Sequence, residues 1–129
     1  MAKARTGQRV LGDPDRLKQL LGICEALPEL AVSGDQHLTL GVRGKTFAWY
    51  LDDHHGDGIV SVCAKSTLDR QAEVLGRHPE RYYVPAYVGV KGWVALRLDR
   101  PEVDWDEAAE LVFAAYRLQA PRRLAREVE

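Results

Sequence analysis

A chain of 129 residues and 14.5 kDa is the size of one domain, large enough to bury a core without a metal or disulfide. Hydrophobic residues at 46% and charged residues at 29% exclude a disordered or collagen-like chain, and no apolar run approaches the roughly 20 residues that span a bilayer. With 18 basic and 19 acidic side chains the net charge is −1, so bulk electrostatics does not mark a nucleic-acid binder.

Residues 1–12 read as a flexible tail. Lys3, Arg5 and Arg9 are not followed by the apolar stretch of a signal peptide, so a cytoplasmic location is expected. Asp13-Pro14 opens the first helix, an N-cap acceptor followed by proline at the first helical position. Leu17, Leu20, Leu21, Cys24 and Leu27 recur at helical spacing, and Pro28 stops the helix. Three strands follow. Leu38, Leu40 and Val42 alternate with Thr39, Gly41 and Arg43; Phe47, Trp49 and Leu51 alternate with Ala48, Tyr50 and Asp52. Val60, Val62 and Ala64 alternate with Ser61, Cys63 and Lys65. This alternation predicts antiparallel strands covered on one side, with Trp49 in the core and Tyr50 on the open face. Gly44 marks the first turn and His55-Gly56-Asp57-Gly58 the second.

Ser66 reads as the cap of a second helix, with Asp69 completing a capping box and Leu68, Ala72 and Leu75 as the buried stripe. Gly76 and His78-Pro79 stop it. Tyr82 to Val88 and Gly92 to Leu98 predict a second hairpin, turning at Gly89-Val90-Lys91-Gly92. Asp104 and Glu107 form a capping box for the last helix, whose inward residues are Trp105, Ala108, Val112, Ala115 and Tyr116. The order α-β-β-β-α-β-β-α predicts an α+β, two-layer sandwich: a mostly antiparallel five-stranded sheet with helices on one face. A single domain over 13–121 is expected, followed by a charged C-terminal tail over 122–129.

Particular stretches carry a family likeness. Val42-Arg43-Gly44-Lys45-Thr46-Phe47-Ala48 resembles the first hairpin of the MmcQ/YjbR family, small bacterial proteins with a double-wing fold. Pro85-Ala86-Tyr87-Val88-Gly89 with Gly92-Trp93-Val94 is similar to its second hairpin, and Asp104-Trp105 with Ala115-Tyr116-Arg117 and Ala120-Pro121 to its final helix. The likeness covers roughly residues 13–125 and matches the element order read independently. It implies DNA binding, a label that rests on fold analogy to a phage transcription-factor domain whose paired hairpin wings lie against DNA.

Under that reading Arg43 and Lys45, flanking Gly44, and Lys91, in the other turn, hold phosphates, with Arg122 and Arg123 as secondary contacts. Cations at the end of a helix also serve its dipole without any ligand. The acidic run from Asp99 to Glu110 would repel a duplex, which directs binding to the opposite side. Tyr50, Tyr87 and Trp93 are candidates for stacking on bases. The alternative reading is a protein–protein adaptor using the exposed sheet face. A third is a metal or small-molecule site at the Asp52–Asp57 loop, where adjacent His54 and His55 diverge on an extended chain, so no metal is assigned. Cys24 and Cys63 lack zinc or Cys-x-x-Cys spacing and read as buried free thiols. No nucleophile-elbow, P-loop or His-Glu-x-x-His motif is present, so neither an enzyme nor a cofactor is expected.

Overall fold

The computed structural model describes residues 10–128. Its elements in chain order are α1 (Pro14–Cys24), β1 (Leu30–Gly34), β2 (Leu38–Val42), β3 (Lys45–Asp52), β4 (Val60–Ala64), α2 (Leu68–Arg77), β5 (Tyr82–Tyr83), β6 (Val94–Arg97), α3 (Trp105–Gln119) and α4 (Arg122–Arg126). Short 3-10 turns at His54–Gly56 and Val88–Lys91 complete the chain. Asp13 starts α1 as expected, its carboxylate accepting the Asp15 N–H at 2.8 Å. Asp104 likewise accepts the N–H groups of Asp106 and Glu107, both at 3.1 Å. The second helix is capped one residue later than expected. Thr67, not Ser66, accepts the Arg70 N–H at 3.1 Å, and this shift turns Val74 into the core while Leu68 stays 58% exposed.

The strands form one antiparallel sheet in the order β1-β2-β3-β4-β6-β5. The α+β class stands, with six strands where five are expected. The added strand is β1, an edge strand whose residues from Ala31 to Gly34 are all exposed and therefore lack an apolar–polar alternation. The second hairpin is shorter than expected. Only Tyr82 and Tyr83 pair with β6, and Pro85 interrupts the run before Val88–Lys91 coils into its 3-10 turn.

Helices cover one face. Leu20 and Cys24 of α1, Val74 of α2, five residues of α3 and Leu124 of α4 share one buried cluster with Leu38, Leu40, Val42, Phe47, Ala48 and Tyr50 of the sheet. Phe47 and Ala48 are both fully buried although they are neighbours on a strand. The pairing explains this. Leu40 faces Ala48 while Gly41 faces Thr46, leaving Phe47 as the extra residue of a β-bulge. Phe47 meets the Tyr116 ring edge-on at 5.5 Å. After the bulge the phase is inverted: Tyr50 and Asp52 turn to the helix side at 3% and 2% exposure, and Trp49 and Leu51 turn to the open side. The expected positions of Trp49 and Tyr50 are thus exchanged.

Asp52 spends its buried carboxylate on the segment ahead of α1, accepting the Leu11 N–H at 2.8 Å and the Gly12 N–H at 2.9 Å. Gly12 is required there, because a Cβ would fall 2.1 Å from the Tyr50 hydroxyl. Residues 1–9 of the expected tail lie outside the described residues. At the other end Tyr116 donates its hydroxyl to the Pro28 carbonyl at 2.7 Å, tying α3 to the α1–β1 connection. Replacing Tyr116 by Phe orphans that carbonyl and should cost about 1–2 kcal/mol in urea unfolding; an unchanged midpoint would show that the bond contributes nothing.

Candidate functional site

Antiparallel pairing gathers basic side chains at one end of the sheet. Lys45 begins β3, Lys65 follows β4, and Lys91 precedes β6; Ala48 faces Ala64 and Ala64 faces Val94, so the three lysines share that end. Arg43 and Gly44 make the adjoining turn, both with positive φ, at 50° and 79°. Gln119, the last residue of α3, donates to the Thr46 carbonyl at 2.9 Å, which brings α4 with Arg122 and Arg123 alongside. None of Lys45, Lys65 and Lys91 enters an ion pair among the described residues. Lys65 Nζ lies 6.0 Å from the Trp93 ring centroid.

Arg43 differs from these lysines. Its guanidinium grips the Glu29 carboxylate through Nε and Nη2, the latter at 2.9 Å. That hydrogen bond holds Glu29 below the usual carboxylate range and raises Arg43 above its own. Arg123 stands 3.9 Å from Glu127. The acidic run begins at the opposite end of the sheet, and three of its six carboxylates are matched. Arg97 meets Asp99 at 2.9 Å, Arg81 meets Glu107 at 3.1 Å, and Arg70 meets Glu110 at 2.9 Å.

The three stacking candidates separate. Tyr50 is buried on the helix side, its hydroxyl pushed up to about 12 by burial and then by Asp52 and Asp13. Trp93 is 5% exposed beneath the open-face cluster. Tyr87 alone is free, at 87% exposure, and it holds a positive φ of 67°.

The open face of the sheet carries a second apolar cluster and a cleft. Thr39, Trp49, Cys63, Ala95 and Tyr83 are successive partners across five strands. Trp49 stacks on Trp93 at 4.8 Å and 26°, and Ser61 and Tyr83 share a hydroxyl hydrogen bond of 2.8 Å. Over this row lies a cleft of about 610 Å³, walled by Pro85, Tyr87 and Val88 on one side and by His37, His54 and His55 on the other. The fold thus brings His37 to the His54-His55 loop, with ring separations of 5.1 Å (His37 to His54) and 3.9 Å (His54 to His55). No group of three metal-ligating side chains converges among the described residues. Asp52 is committed to Leu11 and Gly12, and Asp53 accepts the Gly58 N–H at 2.7 Å to close the loop. Cys63 and Cys24 are both buried, and burial pushes each up to about 12, so both stay protonated at neutral pH. Sequence reasoning missed the union of the cleft walls, because it depends on the phase inversion at Phe47. The signal was two adjacent residues, Phe47 and Ala48, both apolar in a strand.

A family model for YjbR matches residues 22–118. The chain belongs to the YjbR family. Among solved structures, the crystal structure of the Deinococcus radiodurans protein DR2400, described by its DUF419 domain, is similar in fold. The two are 23% identical, with a TM-score of 0.66 over 79% of this chain and 76% of that one. No curated protein matches the chain. No helix among the described residues of this YjbR-family protein is long and apolar enough to cross a membrane.

The histidine cluster makes stability depend on pH. Burial, then the neighbouring His55 and His37, hold His54 below its ordinary value of 6.5, with Asp57 opposing. The unfolded chain therefore binds this proton more readily, and folded stability falls as pH drops below about 6.5. His54→Gln should flatten the urea midpoint between pH 6.5 and 5 relative to the wild type; parallel curves would remove His54 as the cause.

Proposed function

We propose that this YjbR-family protein binds duplex nucleic acid through the basic end of its sheet. The observation that carries the reading is the shared position of Lys45, Lys65 and Lys91, all without an ion-pair partner among the described residues. Ammonium groups without a carboxylate partner meet phosphate oxygens without first breaking an ion pair, and Lys65 keeps only its contact with the Trp93 ring. Arg122 and Arg123 widen the footprint from α4. Arg43, a phosphate ligand on the sequence reading, is held in reserve by Glu29. Contact is with the backbone rather than with stacked bases, because Tyr50 and Trp93 are buried and Tyr87 alone is free. Glu102, Asp104 and Asp106, which enter no ion pair among the described residues, orient the molecule by repulsion. The reading places the protein in the cytoplasm, with Cys24 and Cys63 as free thiols.

The exposed edge of β1 favours a second reading, a protein partner added as a further strand. That partner would bind with no dependence on the three lysines.

Fluorescence anisotropy with a short duplex at several salt concentrations tests the first reading. Three phosphate contacts give a log–log salt slope of about −2.7. The Lys45→Ala, Lys65→Ala, Lys91→Ala triple variant should lose that binding; unchanged affinity would remove the basic end from the account. Glu29→Gln releases Arg43 and should tighten binding while steepening the slope by about 0.9, one further phosphate contact.

A further inference from the structure

The cleft on the open sheet face is not used by phosphate contact at the sheet end. We propose that it is a binding site for a planar aromatic carboxylate, its rings seated against Trp49 and Tyr87 and its carboxylate turned to His37, His54 and His55. The volume of about 610 Å³ lies within the range of small-molecule sites. Its two sides differ in chemistry. Trp49, held in place by its stack on Trp93, faces an apolar wall of Pro85, Tyr87 and Val88. The opposite wall is imidazole.

That wall is built to donate. The Asp52 N–H donates to His37 Nδ1 at 3.1 Å, which fixes the ring hydrogen on Nε2 and leaves it for an acceptor in the cleft. His54 sits between the other two rings, and no carboxylate forms an ion pair with any of the three among the described residues. An anion at this wall accepts hydrogen bonds from the imidazoles, with Asp57 the one carboxylate lining the cleft that also acts on His54. Asp57, Cys63 and Tyr83 also line the cleft; the Asp57 carboxylate is engaged by the Ile59 N–H at 2.9 Å, and the thiol and phenol are neutral hydrogen-bonding groups at neutral pH.

The rim is strained. His55 and Tyr87 hold positive φ values of 56° and 67°, and these two, among five such non-glycine residues described, line the cleft. Backbone strain of this kind persists where surrounding structure over-determines it, and it gathers at binding sites.

The carboxylate should draw a proton onto the imidazole wall, so its affinity rises as pH falls. The test titrates the full chain with 2-naphthoate by calorimetry, following the Trp49 indole N–H by nuclear magnetic resonance, with uncharged 2-naphthamide as control. At pH 6.0 the acid should bind about tenfold tighter than the amide, as one charge-assisted hydrogen bond implies. It should bind several-fold tighter at pH 6.0 than at pH 7.5. His54→Ala with His55→Ala should weaken the acid several-fold and leave the amide unchanged, with His37 as the remaining donor. Tyr87→Ala, at an exposed position, should weaken both ligands equally. Neither variant should alter duplex affinity, which separates this site from the basic end. Equal binding of acid and amide, affinity that ignores pH, or no displacement of the Trp49 resonance would overturn the proposal.

Discussion

One unpaired residue decides which way the sheet faces. Phe47 is the extra residue in the β2–β3 ladder, and its insertion inverts the side-chain phase for the rest of β3. Because Phe47 is itself buried against Tyr116, the bulge costs the core nothing: two successive residues, Phe47 and Ala48, both point at the helices. Downstream, Tyr50 and Asp52 fall on the helix side, where Asp52 secures Leu11 and Gly12. Trp49 and Leu51 fall on the open side, where they meet Cys63, Trp93 and Tyr83. The cleft, its tryptophan wall and the anchoring of Leu11 and Gly12 all descend from this single offset.

The charges follow a second asymmetry, along the strands rather than across the sheet. At the end where β4 begins, arginines cancel two of the acidic residues locally, Arg97 with Asp99 and Arg81 with Glu107, and Arg70 of α2 meets Glu110 of α3. Each such surface pair contributes only about 0–1 kcal/mol to stability. Their larger effect is on the field, since they mute the acidic run. At the other end the lysines have no such partners, and Glu29 restrains only Arg43. A chain with a net charge of −1 therefore presents one locally basic end.

Much of this was legible in the sequence. Asp13-Pro14 and Asp104 announced two helix starts because capping chemistry is local. The periodicities of β2 and β4 and of α3 announced the antiparallel sheet and its helical cover. What escaped was non-local. The edge strand β1 has no buried face to impose a pattern. The cap of α2 moved by one residue because Ser66 and Thr67 are adjacent capping residues, and local sequence does not choose between them. The bulge at Phe47 depends on pairing with β2, so alternation read along β3 alone exchanged Trp49 and Tyr50. His37 and His54 are far apart in sequence, and their meeting required the β2–β3 register.

The family, the fold and the two surfaces converge on one physical picture: a sheet whose helix side is closed, whose open side carries an aromatic cleft, and whose end carries unpaired lysines. Its central claim is the phase of β3 after Phe47. The most direct measurement is a nuclear Overhauser spectrum of the Trp49 side chain. The account predicts cross-peaks from its indole to Trp93 and Thr39, its stacking and cross-strand neighbours, and none to Tyr116. Cross-peaks from Trp49 to Tyr116 would place Trp49 under the helices, and the open-face cleft would no longer stand.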